Sequence, residues 1–429
     1  MNRDRILVAL LEGVRVGLVE QDARGRLRFI YDDAWRQDVH AYPLSLSLPL
    51  TAAQHGHDPT NAFLWGLLPD NTRTLDHYGR LFGVSSGNPV ALLSRMGGDC
   101  AGAVQFATPD DVERLTAARS AERVQWLGED EVAAELRSVR QTGIPGTSAH
   151  ASGQFSLAGA QPKIALLEEG GRWGRPSGRT PSNYILKPPT GQFHGFVENE
   201  HFCLEVAKFL SLGAVSSRVR QFGEETAIVV QRFDRARHGR LYTRIHQEDV
   251  CQALGVMPTR KYENDGGPSI ARVIGLLRDA SSNPQDDILR FLRVTALNWV
   301  IAATDAHAKN YALLHASGGA VRLAPFYDIL SYLPYADDAL HRVKLAMNIG
   351  GEYLVRRVNR RCWEGLARQS RLGATDVLDT VRDVVAQVPS AVESATDAAV
   401  ESGLDSTVIR TLSRRITSRT RACAAMLAA

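Results

Sequence analysis

The residues that most directly suggest chemistry are Asp305, Asn310 and Asp328, two carboxylates and an amide in the second half of the chain. In protein kinases, the first carboxylate of such a set accepts the proton of the attacking hydroxyl, and the amide and the later carboxylate hold metal ions. The spacing of Asp305 and Asn310 matches the kinase catalytic loop, although Ala303 and Thr304 stand where that loop usually has His and Arg. A helix-terminating Asp followed by a polar turn would explain the same residues equally well.

A run of mostly apolar residues from 294 to 304 leads directly into Asp305. Such a run predicts a buried helix. Asp305 would then follow a rigid element, a position that suits a carboxylate whose geometry must be held for catalysis. Isolated motifs of this kind also occur by chance, so the surrounding elements decide how the loop is interpreted.

The first third of the chain alternates short strands with turns and then becomes helical. Strands are predicted at 5–10, 27–31 and 102–107, between breaks that are rich in Gly and Asp. Residues 129–140 predict a helix because their apolar side chains recur at helical spacing. The stretch 142–154 is rich in Gly, Ser, Pro and Ala, which predicts a linker or mobile loop and a domain boundary.

The rest of the chain changes from strands to helices. Strands are predicted at 164–167, 184–187, 219–222 and 227–233, with one helix between them at 198–210. Helices are predicted in most of the chain beyond residue 246: at 248–254, 270–277, 288–303 and in much of 362–427. A strand-rich half that carries one helix, followed by a helical half, is the pattern of a two-lobed kinase.

We therefore predict an α+β protein with a protein-kinase-like two-lobed fold. A strand-rich N-lobe would precede an all-helical C-lobe, and an additional α/β subdomain would lie at the N-terminus. The predicted domains are the N-terminal subdomain at 1–108, a connecting helix and linker at 109–154, the N-lobe with a phosphate loop at 155–245, and the helical C-lobe with the catalytic loop at 246–429.

The composition describes a globular protein of more than one domain. A length of 429 residues exceeds one ordinary domain, and 44% hydrophobic with 23% charged residues excludes a disordered chain. The net charge of +3 gives no global basic field for nucleic acid, and the longest apolar runs fall short of a membrane span. The 5 cysteines are widely spaced, which predicts reduced thiols in a cytoplasmic protein and argues against a disulfide framework or a metal site.

A loop of small residues precedes the first strand of the predicted N-lobe. Ala158, Gly159 and Ala160 would let the backbone approach a ligand, and their amides would line a phosphate. The loop matches neither Gly-x-Gly-x-x-Gly nor Walker A, so an ordinary turn is the alternative. Lys187 ends an apolar strand, where a kinase lysine would bind nucleotide phosphates; a surface lysine on an edge strand is the alternative.

Short motifs follow one another in order along most of the chain: YPLSLSLP at 42–49, LLPD at 67–70, SLAGAQPK at 156–163, YENDGGP at 262–268, TDAHAKN at 304–310, PFYDI at 325–329 and VKLAM at 343–347. In this combination they resemble the HipA family. Its members are bacterial serine/threonine kinases that act as toxins of toxin–antitoxin pairs. The resemblance makes the N-terminal region a HipA-type subdomain.

The resemblance implies roles for residues of these motifs. Asp305 would be the catalytic base, and Asn310 and Asp328 would be ligands of Mg²⁺, which prefers oxygen ligands shared with substrate phosphates. Glu200, on the helix after Lys187, is the predicted carboxylate partner of that lysine. The residues implied to bind ATP lie in the phosphate loop, at the end of a strand, in a hinge that contacts adenine and around the catalytic loop: Ala158, Gly159, Ala160, Gln161, Lys163, Lys187, Gln231, Arg232, Phe233, His307, Lys309, Asn310, Tyr327 and Asp328.

Ser156 resembles the serine that the family phosphorylates on itself. A phosphate there would add about −1.5 to −2 charges beside the site for the ATP phosphates. Repulsion would displace the loop and inactivate the enzyme, whereas an ordinary loop hydroxyl is the alternative. Pro162 departs from the family pattern and lacks an amide donor, so it would lower nucleotide affinity if that amide faces the phosphate. Gln231 stands where the family more often has Glu.

The resemblance also implies partners. A HipB-like helix-turn-helix antitoxin would bind the chain and carry most of the contact with operator DNA. The protein substrate would be an aminoacyl-tRNA synthetase, with glutamyl-tRNA synthetase as the first choice, and its phosphorylation would stop growth. No membrane partner is expected. A small-molecule kinase and a catalytically silent co-repressor are the alternatives. Arginines near the C-terminus would either meet DNA phosphates or form a solvated helix face: Arg410, Arg414, Arg415, Arg419 and Arg421.

Overall fold

The structure is a computed structural model that describes residues 5–116, 124–143, 155–156, 158–189, 191, 194–239, 241–404 and 407–428. Most of the predicted linker at 142–154 and Leu157 of the predicted phosphate loop lie outside the described residues. The chain divides into two compact units, each assembled from separate segments. Unit 1 contains Met1–Thr190, Arg220–Thr259 and Ala312–Val321, and unit 2 contains Gly191–Val219, Arg260–Tyr311 and Arg322–Ala429. The domain boundaries drawn from the sequence stay a prediction.

The described strands, in chain order, are β1 (Ile6–Leu11), β2 (Val14–Gln21), β3 (Leu27–Tyr31), β4 (Gln54–His55), β5 (Asp99–Cys100), β6 (Val104–Ala107), β7 (Val124–Leu127), β8 (Phe155–Ser156), β9 (Ile164–Glu169), β10 (Arg172–Pro176), β11 (Tyr184–Lys187), β12 (Ser217–Phe222), β13 (Glu225–Gln231), β14 (Arg235–His238), β15 (Leu241–Arg244), β16 (His246–Asp249), β17 (Ala312–Ala316), β18 (Ala320–Leu323), β19 (Lys344–Ile349) and β20 (Glu352–Leu354).

The described α-helices, in chain order, are α1 (Asp33–Arg36), α2 (His57–Gly66), α3 (Thr72–Phe82), α4 (Pro89–Met96), α5 (Val112–Thr116), α6 (Glu129–Thr142), α7 (Phe196–Phe209), α8 (Val250–Ala253), α9 (Ile270–Ala280), α10 (Pro284–Val300), α11 (Arg360–Ser370), α12 (Ala374–Glu401) and α13 (Thr407–Ala428). Within the described part of the chain, no helix combines the length and the apolar character needed to span a bilayer.

The first part of unit 1 is a five-stranded sheet with the order β4–β3–β2–β1–β6. Alternate residues of β1, Leu7, Ala9 and Leu11, are buried in a core that also contains Phe29 and Phe63. Helices α2 and α4 contact this sheet and cover its apolar face. The other face of β1 is also buried, because Val8 and Leu10 form a smaller core with Ala107 and Leu115.

The second sheet of unit 1 has the order β12–β13–β11–β9–β10–β7. Helix α6 packs against it through Val132, Leu136 and Val139, which are buried with apolar residues of β9, β11 and β13. Strand β11 therefore has a hydrogen-bonded neighbour on each side, so its last residue, Lys187, is held by a central strand of the sheet.

The motif at 42–49 builds a buried contact inside unit 1. The Glu248 carboxylate on β16 accepts hydrogen bonds from Ser45 Oγ (2.5 Å) and from the Leu46 amide (2.8 Å). Its Oε1 also lies 2.9 Å from His315 Nε2 on the neighbouring strand β17. A buried carboxylate without hydrogen-bond partners would destabilise the fold. The motif at 42–49 supplies these partners to buried Glu248, so its role is structural.

Unit 2 is a bundle of helices around α12, which contacts α7, α10, α11 and α13. Trp299 of α10 and Trp363 of α11 are fully buried and meet edge to face with 5.7 Å between ring centroids. Large aromatic side chains of this kind bury much of the apolar surface that holds a bundle together. The bundle provides a rigid base for the loops that follow α10.

Two arginines of the C-terminal cluster have structural roles in unit 2. Arg419 is buried and donates to the carbonyl oxygens of Trp299 (3.3 Å) and Val355 (2.8 Å). Arg415 donates to the carbonyl of Leu333. The other three members of the cluster are exposed on α13: Arg410, Arg414 and Arg421.

The structure differs from the sequence-based elements in the N-terminal region, where α2, α3 and α4 lie among the predicted strands and turns, and in two places beyond residue 246. Glu248 and Asp249 belong to β16, and the helix predicted at 248–254 is reduced to α8. The Asp249 carboxylate accepts the Gln252 amide at 2.9 Å and so caps α8 at its first turn. The backbone before that cap is therefore available to pair with β17. In addition, the short strands β17 to β20 lie in the region where helices alone were predicted.

Candidate active site

Asp305 follows the end of α10, as the apolar run before it predicted. The helix ends when Ala302 takes the left-handed conformation (φ 53°) and the Ala303 amide bonds back to the Asn298 carbonyl at 2.8 Å. A left-handed alanine costs roughly 1 kcal/mol, which the buried surroundings of Ala302 must offset. Asp305 itself is a surface residue, with 65% of its side chain exposed.

A tight turn joins Asp305 to Asn310. The Asp305 carbonyl accepts hydrogen bonds from the His307 amide (2.8 Å) and from Asn310 Nδ2 (2.7 Å), and the Asn310 amide bonds to the His307 carbonyl at 2.9 Å. Because Nδ2 is directed at the backbone, the carboxamide oxygen of Asn310 faces the other way. The spacing recognised in the sequence is thus the spacing of a closed turn whose side chains are fixed.

His307 and Lys309 lie inside this turn and are both buried. His307 Nε2 is 3.9 Å from Asp305 Oδ1. The Lys309 carbonyl accepts a hydrogen bond from the Tyr327 hydroxyl at 2.8 Å, which ties the predicted catalytic loop to the segment that carries Asp328. The predicted residues of unit 2 are therefore connected to one another.

Asp328 is held in an unusual backbone conformation, with φ 53° in the left-handed region. Phe326, two residues before Asp328, is fixed by two backbone hydrogen bonds: its amide donates to the Gly213 carbonyl (3.0 Å) and its carbonyl accepts the Val215 amide (2.9 Å). A non-glycine residue with positive φ persists only where its surroundings determine it, and such residues cluster at functional sites. Asn199 continues this support, because it bonds to the amide and the carbonyl of Ser331.

The oxygen atoms of Asn310 and Asp328 suit Mg²⁺. Among the described residues, no group of three His, Cys, Asp or Glu side chains could hold a metal ion. Mg²⁺ in kinases does not require such a group, since one or two protein oxygens, substrate phosphates and water complete its octahedron. The donor set of unit 2 therefore fits this ion.

The predicted phosphate loop lies in unit 1 and closes on itself through Lys163. Lys163 Nζ donates to the Ala158 carbonyl at 2.8 Å and crosses over Gly159, where a Cβ atom would come within 2.4 Å of it. Gly159 has a φ of +111°, a conformation that other residues rarely adopt. Its carbonyl also accepts the Asp70 amide at 3.2 Å, so the motif at 67–70 supports the loop.

Ser156 is fully buried beside this loop. Its hydroxyl donates to the Leu67 carbonyl at 2.7 Å, and its strand β8 pairs with β5. In this conformation the hydroxyl cannot act as a phosphate acceptor. Phosphorylation of Ser156 therefore requires β8 to leave β5, and the role of Ser156 stays a prediction.

Lys187 ends β11 opposite Ile228 of β13 and is 5% exposed. This burial agrees with the inward direction predicted from the apolar strand. Glu200 is buried on α7 in unit 2, and its pairing with Lys187 remains a prediction.

The predicted hinge contains an exposed residue, a buried residue and a half-buried residue: Gln231, Arg232 and Phe233. The Arg232 amide bonds to the Asn183 carbonyl at 2.9 Å, and its guanidinium donates to Asp234 (2.8 Å), Ser182 and Cys100. Both groups of Arg232 thus serve the fold of unit 1, so an adenine contact at this position would use its carbonyl.

The Arg232 side chain belongs to a buried ionic group that the sequence did not reveal. We call it the Asp99 cluster: Asp99, Arg232, Asp234, Arg235 and Arg244. Burial alone would raise the pKa of Asp99, but Arg235, Arg232 and Arg244 hold that pKa well below its ordinary value. The cluster joins β5, which pairs with β8, to the segment that follows β13.

Tyr262 also contacts the predicted site, although the sequence analysis assigned it no role. Its hydroxyl donates to Asp305 Oδ1 at 2.5 Å, and its ring meets the edge of His307 with centroids 4.9 Å apart. Tyr262 and Asp305 are 43 positions apart, so local spacing could not connect them. The only available signal was the presence of Tyr262 in the motif at 262–268.

Comparison with known proteins adds independent evidence. Residues 7–107 match the HipA N-terminal domain, and residues 155–392 match the HipA-like C-terminal domain. A protein of Sinorhizobium fredii named "Putative kinase Y4mE" is 35% identical over 370 residues, which cover 86% of each chain. The serine/threonine-protein kinase toxin HipA of Shewanella oneidensis is 30% identical over 338 residues, covering 75% of this chain and 73% of that protein.

The fold is also known from a solved structure. The chain is similar to one in the Shewanella oneidensis complex of HipA, HipB and operator DNA, with a TM-score of 0.83 and 24% sequence identity over 98% of both chains. This similarity confirms the predicted α+β, kinase-like fold class, and the relatives confirm that the protein is a kinase. The C-terminal domain match covers more than half of the chain. The chain therefore belongs to the HipA family of serine/threonine-protein kinase toxins.

Proposed function

We propose that the protein transfers the γ-phosphate of ATP to a serine of a protein substrate, with Asp305 as the catalytic base. The observation that carries this proposal is the closed turn from Asp305 to Asn310, which presents an exposed carboxylate from an otherwise buried loop. A base must reach the proton of the acceptor hydroxyl, and an exposed carboxylate on a rigid turn can do so. Transfer then depends on positioning and on charge stabilisation of the phosphates.

Mg²⁺ and ATP are the proposed cofactors. Asn310 and Asp328 would hold the ion, which neutralises charge that develops on the transferring phosphate when it is bound. The family resemblance assigns Lys187 of β11 and the backbone amides of the loop at 158–163 to the binding of nucleotide phosphates. The segment Gln231–Phe233 would contact adenine. Pro162 offers no amide, so the neighbouring positions must provide these donors.

We further propose that phosphorylation of Ser156 inactivates the enzyme. The hydroxyl of Ser156 occupies a buried position against Leu67, where a phosphate would have no water to solvate it. Burying about −1.5 to −2 charges without a partner is strongly unfavourable. The modified segment would therefore stay displaced from β5, and the adjacent phosphate loop would lose its support.

The proposed cellular role follows the relatives. The solved Shewanella oneidensis complex contains HipA, HipB and operator DNA. We propose that this chain acts in the cytoplasm, binds a HipB-like antitoxin, and meets operator DNA mainly through that partner. The proposed substrate is an aminoacyl-tRNA synthetase, with glutamyl-tRNA synthetase as the first candidate. Its phosphorylation would limit charged tRNA and so arrest growth.

The test is incubation of the purified protein with Mg²⁺, radiolabelled ATP and a panel of purified aminoacyl-tRNA synthetases. We expect phosphoserine on one synthetase, and none with Asp305→Asn, which removes the charge with little change of shape. ATP binding measured by calorimetry should be retained in the variant. Label in small molecules alone would point to a small-molecule kinase. ATP binding without transfer to any acceptor would point to a silent co-repressor.

A further inference from the structure

The motif at 262–268 has no role in the function proposed above. It forms a compact turn in unit 2, in which the Gly267 amide bonds to the Tyr262 carbonyl at 2.9 Å. At Gly267 a Cβ atom would lie 2.1 Å from the Arg260 carbonyl and 2.6 Å from the Tyr262 carbonyl. Only glycine fits position 267, and Gly266 has a φ of +86°, so the turn depends on both glycines for its shape.

The turn is anchored to β19. The Glu263 carboxylate accepts the Asn348 amide at 2.7 Å and Asn348 Nδ2 at 2.6 Å. Two hydrogen bonds to one carboxylate fix its position and also fix the direction of the preceding residue, Tyr262. The Tyr262 side chain therefore extends from a supported base.

The turn and the residue before it, Lys261, contact the predicted catalytic loop at three points. The Ala308 amide bonds to the Lys261 carbonyl at 3.3 Å. The Tyr262 ring meets His307 at an interplanar angle of 80°, and the Tyr262 hydroxyl donates to Asp305 Oδ1. The backbone, the ring and the hydroxyl all act on the segment that carries the proposed base.

We propose that Tyr262 is a positioning residue that holds Asp305 in the orientation needed to accept the substrate proton, an inference that rests on the proposed kinase function. An aspartate with 65% of its side chain exposed would otherwise rotate among several rotamers. The hydrogen bond to Oδ1 selects one of them, and Oδ2 remains to receive the proton.

In the proposed reaction, the γ-phosphate moves to the substrate serine and the serine proton moves to Asp305. The serine oxygen of the substrate forms a bond to the γ-phosphorus while the bond from phosphorus to the departing oxygen of ADP breaks. The serine proton moves to Asp305 Oδ2. Tyr262 keeps its own proton throughout, so it orients the base and takes no part in the transfer.

The test is the Tyr262→Phe variant, which keeps the ring contact with His307 and removes only the hydroxyl. Loss of a hydrogen bond to a charged group predicts a kcat about tenfold lower. The KM and the calorimetric Kd for ATP should not change, because the hydroxyl acts on the base. Tyr353→Phe, which removes a hydroxyl from β20 in the same unit, is the matched control and should keep the wild-type kcat.

If the wild-type protein is active, either of two results would overturn the inference. One is a Tyr262→Phe variant with the kcat of the control. The other is a variant whose loss comes from weaker ATP binding, since a group acting on the base leaves nucleotide affinity unaltered. A wild-type protein that binds ATP and phosphorylates no acceptor would instead overturn the proposed function, and the inference would fail with it. Equal melting temperatures of the variants would show that the comparison concerns folded proteins.

Discussion

Replacing Asp99 by asparagine should destabilise unit 1 far more than its small change of shape suggests. Asp99 accepts hydrogen bonds from Arg235 (2.7 Å) and Ser182 Oγ (2.6 Å), and it lies 3.6 Å from Arg232 and 3.4 Å from Arg244. Asparagine would keep the volume and lose the charge. Arg232 and Arg235 would then share Asp234 as the remaining buried carboxylate of the Asp99 cluster, and Arg244 would keep Glu12, at 4.0 Å.

The expected loss of unfolding free energy follows from the burial of the arginines that surround Asp99. Removing one member of a buried ion pair costs about 3–5 kcal/mol, because the partner charge stays behind without compensation. At about 1.4 kcal/mol per factor of ten, amide exchange in β13 should become at least about 100-fold faster. The direct comparison is Glu20→Gln, which breaks the exposed pair with Arg28 in the same unit. That pair should be worth less than about 1 kcal/mol.

Hydrogen exchange followed by mass spectrometry resolves this difference because it reports on peptides of unit 1 separately. The peptide that contains β13 is the most informative, since it precedes the cluster directly. If Asp99→Asn and Glu20→Gln accelerate exchange to the same small extent, the assignment of the cluster as a main support of unit 1 is wrong.

Three further predictions concern pH, the phosphate loop and the C-terminal helix. The pKa values of Asp99 and Asp234 are depressed in the folded protein, so the stability that these carboxylates contribute is complete above their unfolded pKa of about 4 and is lost as pH falls below it. Acid titration followed by circular dichroism should therefore show a smaller acid-induced loss of stability for Asp99→Asn than for the wild-type protein. Gly159→Ala should weaken ATP binding measured by calorimetry at least about tenfold, because the residue has φ +111° and its new methyl group would displace Lys163; unchanged affinity would contradict the role of the loop. Arg419→Met should lower the free energy of unfolding by about 1–3 kcal/mol in urea denaturation because two buried carbonyls each lose a charged donor, and a neutral result would contradict its structural role.

The turn from Asp305 to Asn310 could be located from the sequence because the information for it is local. Asp305 and Asn310 lie in one turn, and the apolar run before them forms the helix that precedes that turn. The exact end of α10 was not visible, because Ala302 adopts the left-handed conformation without the glycine that usually signals it.

Contacts between distant parts of the chain were beyond this kind of prediction. Strand β16 owes its conformation to pairing with β17, so Glu248 and Asp249 resembled the start of a helix when considered alone. The hydrogen bond from Tyr262 to Asp305 has the same origin. Helical and strand patterns report which face is buried, but they do not report which distant residue covers it.

The sequence also did not reveal that two of the predicted site residues, Ser156 and Arg232, are buried. Ser156 was predicted to be a phosphorylated serine or an ordinary loop hydroxyl, and neither interpretation included the burial of its hydroxyl against Leu67. Arg232 looked like a hinge residue and belongs to the Asp99 cluster. In both cases the polar side chain is satisfied by a partner far along the chain, which a local pattern cannot supply.

The central claim is that this protein is a protein kinase whose base is Asp305. It is tested most directly by intact-protein and peptide mass spectrometry after incubation of the wild-type protein and Asp305→Asn with Mg²⁺ and ATP. We predict a phosphate on Ser156 of the wild-type protein and none on the variant, with ATP bound by both. Phosphate on Ser156 of the Asp305→Asn protein at the wild-type rate would contradict the account.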